Sequence, residues 1–447
     1  MEVTQLLLIL LGSACGVILV LGFLKPQYMI QYPFAAAAVF SGWVIPQLIG
    51  LSNNSRIPQA ALDKTIFMAF LCVCAIYWGD RVGREPLKAF NWQFNQKRLL
   101  IAATILSMAG VYFYYQVSLL AESATIEYGG QWTGRITLYV FLSTMLTYGM
   151  VLALVAYFQR PSRWAVALIL MSFLVYIDRI IMSGRRQPAA ELAIIVGLVL
   201  WFRYRKLPSR LVVAAVLVAG TLWVNSVGDY RRVVMGDDGG GLKDSLSIDY
   251  VYNFQTIFTE GGFELLNATL DIGGTDILAS FDFGLSHWNG FVHSFIPGQL
   301  IGRDIKSEMQ VDLIDPARLV YRHIAHLGTT HTGMADAFKS FWYFGALKFF
   351  VVAYIAARLW HAATRGHKVA LILVAVCFVG ALEAITHTTD RFYMIFPKIV
   401  FFLLPALWFA KRTVPPFQIP SKAGISRQFA SAERGRKNCD SSSAKHD

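Results

Sequence analysis

The chain has 447 residues, 55% of them apolar and only 15% charged, with a formal net charge of +12 and a mean hydropathy of +0.49. A soluble domain carries roughly 25% charged residues, so this balance excludes a soluble globular enzyme and a disordered chain. Apolar runs of about 17–25 residues recur, the length a helix needs to cross a hydrocarbon core roughly 30 Å thick. The expected fold class is therefore an all-α polytopic membrane protein, and its positive charge is first a topology signal. No basic, aromatic-interleaved soluble segment is present, so the partner read directly is the lipid bilayer and no nucleic acid is expected.

Taken in chain order, Met1-Glu2-Val3-Thr4-Gln5 has no basic n-region, so the first apolar run reads as a retained span rather than a cleaved signal peptide. Eleven spans are expected, at 4–24, 32–51, 64–79, 99–119, 136–158, 164–182, 188–202, 211–227, 341–360, 369–387 and 393–410. Pro33 and Pro46 in the second, and Pro397 and Pro405 in the eleventh, predict kinks. This divides the chain into transmembrane helices one to eight (1–227), a long loop (228–340), helices nine to eleven (341–410) and a basic, disordered tail (411–447).

Fifteen Lys/Arg fall in one set of short loops and six in the alternate set. The positive-inside rule puts the richer set in the cytoplasm, with the N-terminus and the 113-residue loop outside and the tail inside. That loop is acidic, with 8 Lys/Arg against 15 Asp/Glu. Its arginines gather at its membrane-proximal ends: Arg231 and Arg232 at the start, Arg303, Arg318 and Arg322 towards the close. Within it 245–259 and 286–301 have helical apolar spacing, and Trp288, Phe291, Phe295 and Ile296 give the second an apolar face. The loop has no cysteine; Cys15, Cys72, Cys74 and Cys377 lie in apolar runs and Cys439 in the tail, so neither a disulfide framework nor a zinc site is signalled.

Four constellations carry chemistry; one is Asp178 and Arg179 inside span six with Glu191 inside span seven, intramembrane ionisable residues that are either functional or neutralise one another near the outer surface. Arg185 and Arg186 sit between spans six and seven on the expected outer side, where positive charge is disfavoured; a planar guanidinium pair there suits capture of phosphate, or pairs locally with Asp178 or Glu191. Arg318, Arg322, His323, His326 and His331 form the densest polar run. If helical, Arg322 and His326 share a face, with arginine for a diphosphate and neutral histidine for a proton. Glu383, His387 and Arg391 fall at i, i+4 and i+8 on one stripe of span ten, which reads as acid, base and phosphate clamp or as a structural ion-pair ladder. No carboxylate or histidine set has metal-ligand spacing, and no Gly-rich phosphate loop is present, so neither metal nor cofactor is expected.

Ser183-Gly184-Arg185-Arg186, Ser294-Phe295-Ile296-Pro297-Gly298 followed by Gly302-Arg303, His331-Thr332-Gly333-Met334-Ala335-Asp336-Ala337, and Phe341-Trp342-Tyr343-Phe344-Gly345-Ala346 accompany this topology. Together they resemble the Wzy-type oligosaccharide repeat-unit polymerases. The loop histidines are spaced differently from those of the related O-antigen ligases. The resemblance implies a metal-independent, GT-C-like glycosyltransferase of the bacterial inner membrane. Such an enzyme joins repeat units carried on undecaprenyl diphosphate into O-antigen or exopolysaccharide, alongside a flippase and a chain-length regulator. On this reading His326, His331 and Arg322 are catalytic, and Arg185, Arg186, Arg391, Arg303, Arg232, His387 and Glu383 bind diphosphate or glycan. Arg186, Arg322 and Arg391 are expected to converge on one cavity. The competing readings are an O-antigen ligase acting on lipid A, and a polysaccharide or lipid transporter, for which inverted repeats are expected and none is found.

Overall fold

The computed structural model describes residues 2–85, 87, 91–121, 126–127, 131–132, 135–183, 186–206, 208–235, 247–325 and 329–412; for 121, 126–127, 131–132, 182–183, 186, 224–225, 227–235 and 299–300 it describes the backbone alone. Residues up to Ala410 form one compact unit. The tail read as disordered lies outside the described residues from 413 on.

Among the described residues the regular structure of this unit is helical apart from a two-residue pairing of β1 (Ile126–Glu127) with β2 (Gln131–Trp132). In chain order the helices of the first part are α1 (Val3–Leu24), α2 (Tyr32–Ser52), α3 (Gln59–Val82), α4 (Gln96–Ala121), α5 (Arg135–Gln159), α6 (Arg163–Ser183), α7 (Arg186–Tyr204) and α8 (Arg210–Met235). The segment read as the long loop holds α9 (Tyr250–Glu260), α10 (Phe263–Leu278), α11 (Leu285–Phe295), α12 (Gly298–Ile301), α13 (Arg303–Glu308), α14 (Pro316–Tyr321) and α15 (Thr332–Phe341). The chain closes with α16 (Leu347–Thr364), α17 (Lys368–Thr386) and α18 (Asp390–Ala410). All eleven expected spans fall on helices. Among the described residues nine runs are long and apolar enough to cross a membrane, and the molecule is a multi-pass membrane protein. Of the expected spans, the two outside that count are those on α7 and α8, of which α8 has a shorter apolar stretch at Arg210–Trp223.

The prolines act as their chemistry requires. A π turn over Phe40–Val44 comes just before Pro46 in α2, and another over Ile399–Leu403 just before Pro405 in α18. Each absorbs the hydrogen bond that a proline cannot donate. Two clusters of buried side chains make the interior, and α17 belongs to both. Ala370, Val374, Cys377 and Ala381 face α1, α2, α3 and α16, while Val369, Ile372, Ala375 and Val376 face α4, α5, α6 and α7. That is why the α17 sequence is apolar on every side. Large side chains such as Ile105, Met108 and Tyr112 on α4, Val216 on α8, and Phe401 and Trp408 on α18 are instead exposed, as a lipid-facing surface is. In lipid, helices gain little from hiding apolar area from one another, so close contact and dispersion must hold them together. The α4–α5 pair illustrates this: Gly110 lies against the Leu146 backbone and Gly149 against Ser107.

The segment read as an outer loop is not detached from the bundle. Leu265, Ala268 and Ile272 of α10 and Met334, Ala337 and Phe338 of α15 are buried in the same core as α1–α3. The run Thr332–Thr364, with a 3₁₀ turn at Trp342–Ala346, counts as a single candidate span, so the ninth span begins earlier than the expected 341.

Candidate functional site

A cavity of about 890 Å³ opens where one end of the bundle meets the loop helices. Its wall takes Thr144, Thr147 and Tyr148 from the first half of α5, Arg179 from the end of α6, and Gln187 and Glu191 from the start of α7. The wall is completed by Gly380 and Glu383 from the end of α17, by Asp390, Arg391 and Lys398 from the start of α18, and by Asn289, Gly290, His293 and Ser294 of α11 with Gln310. α5, α7 and α18 enter and α6 and α17 leave at this end, so the cavity lies on a single side of the spans. Three cations and three carboxylates therefore line a chamber of the size that small-molecule sites commonly have, roughly 300–1,000 Å³.

Several of these groups are held by neighbours. Arg179 lies 5.8 Å from the Tyr114 ring centroid and 5.7 Å from that of Tyr176. Thr147 donates to Glu191 Oε1 at 2.9 Å and shares a 2.7 Å hydrogen bond with the Tyr176 hydroxyl. Thr388 donates its hydroxyl hydrogen bond to Asp390. Glu383 Oε1 is buried without a hydrogen-bond partner. Among the described residues no ion pair within 4 Å joins Glu383, Arg391 or Lys398, although the three are electrostatically coupled. At the rim, Lys306 donates to the His293 carbonyl at 2.9 Å, and burial pushes its ammonium below the usual lysine range.

A second constellation is organised by α10. Asn267 and Asp271, one turn apart, share a face. Asn267 Oδ1 meets His323 Nε2 at 2.7 Å, and its amide donates to the Thr329 hydroxyl at 2.8 Å and the Thr330 carbonyl at 3.3 Å. Asp271 takes a hydrogen bond from His331 Nδ1, leaving Nε2 on a half-exposed ring. The Asp271 carboxylate raises the His331 pKa above its ordinary value. Thr330 donates to the Thr386 carbonyl at 2.6 Å, which fastens this segment to the end of α17. Asn267, a glycosylation sequon by sequence, is buried and fully engaged.

The structure brings Arg391 and Glu383 together at the cavity but does not join them by one helical stripe. α17 ends at Thr386, and His387 adopts φ −116°, ψ −134°, which turns the chain before α18 begins at Asp390. His387 is not on the cavity wall. The helix expected to carry Arg322 stops before it. α14 ends at Tyr321, Arg322 takes the left-handed conformation (φ 54°), and His323 N–H turns back to the Ala317 carbonyl at 3.3 Å. Neither Arg322 nor Arg303 lines the cavity. Arg185 and His326 lie outside the described residues, as do the side chains of Arg186 and Arg232. Asp178 accepts from the Tyr114 hydroxyl at 2.7 Å, and the Arg185 and Arg186 side chains considered as its partners lie outside the described residues.

Arg179, which the sequence marks as an intramembrane ionisable residue, reaches the cavity wall, and Lys398 joins it there; nothing local in the sequence points to Asp271 or His287. The break after α17 did have a signal: Thr388-Thr389-Asp390 is the residue pattern of a helix start. Among the described residues no three His, Cys, Asp or Glu side chains gather as a metal-ligand set. Comparison with protein-family models, with curated proteins and with solved structures finds no match.

Proposed function

We propose that this protein is a metal-independent, GT-C-like glycosyltransferase of the bacterial inner membrane that polymerises undecaprenyl-diphosphate-linked oligosaccharide repeat units. The observation that carries the reading is the cavity itself, where Arg179, Arg391 and Lys398 stand around one chamber at the end of the spans. The positive-inside rule assigns that end to the outer face. A lipid diphosphate has its charge at the membrane surface and its polyprenyl chain in the bilayer. A chamber bounded by helices on one side and by the polar roof of α11 on the other suits such a molecule.

The reaction follows from the groups present. An acceptor hydroxyl of the incoming unit attacks the anomeric carbon of the growing chain. The bond from that carbon to the diphosphate oxygen breaks, and undecaprenyl diphosphate departs with the bonding electrons. Arg391, Arg179 and Lys398 stabilise the charge that develops on the diphosphate, as fixed cations in a water-poor site do without reorganisation. The hydroxyl proton goes to a carboxylate, and Glu383, whose Oε1 has no partner, is the base within the chamber. His331, steered by Asp271, stands at the same end of α17 and serves the glycan rather than the diphosphate.

Purified protein in lipid nanodiscs, given undecaprenyl-diphosphate-linked repeat units, should produce a ladder of longer glycans that excess EDTA leaves intact. Absence of elongation overturns the reading. Transfer of the glycan to added lipid A, without a ladder, makes the protein a ligase. Loss of the ladder on chelation, with rescue by Mg²⁺, removes the metal-independent claim. The topology has its own check: Gly240→Cys should react with an impermeant thiol reagent from the outer side.

A further inference from the structure

Beside the cavity lies a polar cluster that the reaction does not use. Asp336 of α15 is buried, a position where a carboxylate is costly unless it is paired and hydrogen-bonded. Its Oδ2 accepts the Thr389 backbone N–H at 3.1 Å and the Thr389 hydroxyl. The same oxygen lies 3.4 Å from Lys348 Nζ and 3.7 Å from His287 Nε2, while Oδ1 accepts from the Ser286 hydroxyl at 3.5 Å. The partners are linked in turn. His287 Nε2 is 2.9 Å from the Thr389 hydroxyl and 3.3 Å from Lys348 Nζ, and Lys348 donates to the Ser340 hydroxyl at 2.8 Å.

One carboxylate thus joins α11 through Ser286 and His287, α16 through Lys348, and the N-cap of α18 through Thr389. Two of these elements are cavity walls. On α11, Gly290 and Ser294 follow His287 by three and seven positions, so they share its face and line the chamber. On α18, Thr389 immediately precedes Asp390 and Arg391, which line it from the other side. A buried ion pair contributes little net stability compared with well-packed apolar groups of the same size, but it tolerates few geometries. Its natural consequence is therefore register rather than strength.

We propose that Asp336 is a positioning residue that fixes the spacing between the α11 roof and the Arg391-bearing turn of α18, and so sets how tightly the cavity holds a lipid diphosphate. The proposal rests on the assignment of the cavity to the donor diphosphate. Two variants test it in the full chain: Asp336→Asn, which removes the charge, and Thr389→Val, which keeps shape and removes only the hydroxyl that bridges His287 and Asp336. Nitroxide labels go on the exposed positions 285 of α11 and 401 of α18, as Leu285→Cys and Phe401→Cys, with Cys74→Ser and Cys439→Ser as background.

Pulsed EPR in nanodiscs should give a narrow distance distribution for the parent protein and a displaced or broadened one for both variants. The KM for the lipid-linked unit should rise about tenfold while kcat changes less than about threefold, and Thr389→Ser should restore both. If Asp336→Asn fails to fold, Thr389→Val carries the test. A parent-like distance distribution in Thr389→Val overturns the proposal, whatever happens to the kinetics. A displaced distribution in the variants, with a parent protein that elongates no lipid-linked glycan, supports the positioning role and overturns the polymerase reading instead.

Discussion

The cavity and the Asp336 cluster use the same kinds of side chain and resolve them in opposite ways. Asp336, Lys348 and His287 each have a partner within 3.7 Å, and the Asp336 carboxylate is closed off from solvent. In the cavity, Glu383, Arg391 and Lys398 stand around about 890 Å³ of space with no ion pair within 4 Å among them, and Glu383 Oε1 is left without a partner. Buried polar atoms are nearly always satisfied in folded proteins, so an orphan beside unpaired cations is the mark of a place kept for something else. The closed cluster holds geometry. The open one is left to bind. The difference teaches that charge within a membrane bundle signals function when it remains uncompensated, not merely when it is present.

The contrast breaks most visibly under a single added methyl group. Gly333 sits on α15 three residues before Asp336, and a Cβ there would collide with the Ala384 carbonyl oxygen of α17 and come within 3.1 Å of the Phe349 ring. Backbone cannot yield as a side chain can, so Gly333→Ala should cost about 3 kcal/mol or more and remove most folded protein. Gly290 faces the cavity, where a Cβ would meet Asp390 Oδ2 at 3.1 Å and the Met394 methyl at 3.5 Å, both at the ends of flexible side chains. Gly290→Ala should therefore fold. Fluorescence-detected size exclusion of the two variants compares them directly, and equal yields would mean that the two regions are equally tolerant.

Within the cavity the largest effect belongs to Arg391. If it clamps the diphosphate, Arg391→Ala should slow glycan elongation on the order of 100-fold, since charge-assisted hydrogen bonds in a dry site are worth a few kcal/mol. Arg391→Lys should recover little, because an ammonium lacks the planar fork. Arg358→Ala and Arg365→Ala, at the opposite end of α16, serve as controls. An Arg391→Ala protein that folds and elongates at the normal rate removes Arg391 from the site.

What the sequence disclosed follows from which signals are local. Span positions were legible because a helix that crosses lipid must stay apolar for about 20 residues, whatever its neighbours do. The ends of helices were less so. The i, i+4, i+8 spacing of Glu383, His387 and Arg391 outweighed the Thr388-Thr389-Asp390 start signal, yet the backbone turns at His387. α10 and α15 read as part of a loop because Asn267, Asp271 and Asp336 interrupt their apolar pattern. Those polar residues are buried there because His323, His331, Lys348 and Thr389 satisfy them from distant segments. Arg391, Glu383 and the intramembrane Arg179 were all visible in the sequence, whereas their meeting at one cavity depends on the packing of α6 beside α5, which no local pattern encodes.

Glu383→Gln sharpens the comparison from the carboxylate side. It should lower the elongation rate about tenfold, a modest base effect suited to a hydroxyl nucleophile. It should also tighten binding of inorganic pyrophosphate roughly threefold, because one negative charge leaves the chamber while the cations stay. Calorimetry on nanodisc-embedded protein reads the second effect independently of turnover. Weaker pyrophosphate binding in Glu383→Gln would mean that the carboxylate orients the cations, as Asp336 does in the closed cluster.

The smallest effect comes from a pair intermediate between the two regions. Asp271 is nearly enclosed, with 10% of its side chain exposed, whereas the His331 ring is 47% exposed. The Asp271 hydrogen bond raises the His331 pKa, so the folded protein holds that proton to higher pH than the unfolded chain does. The stabilisation is complete below the unfolded histidine value, near about 6.5, and fades as pH rises through the elevated folded value. Asp271→Asn keeps a hydrogen-bonding group but discards the charge. The melting temperature of the parent should therefore exceed that of Asp271→Asn most at about pH 6 and least at about pH 9. Because the ring is half open to solvent, the gap should not exceed about 2 °C. A gap that widens with rising pH would reverse the assigned sign and mean that Asp271 steadies the neutral imidazole. A gap that is constant with pH would make Asp271 a packing residue of α10, closer in kind to the enclosed carboxylate of α15 than to the open ones of the cavity.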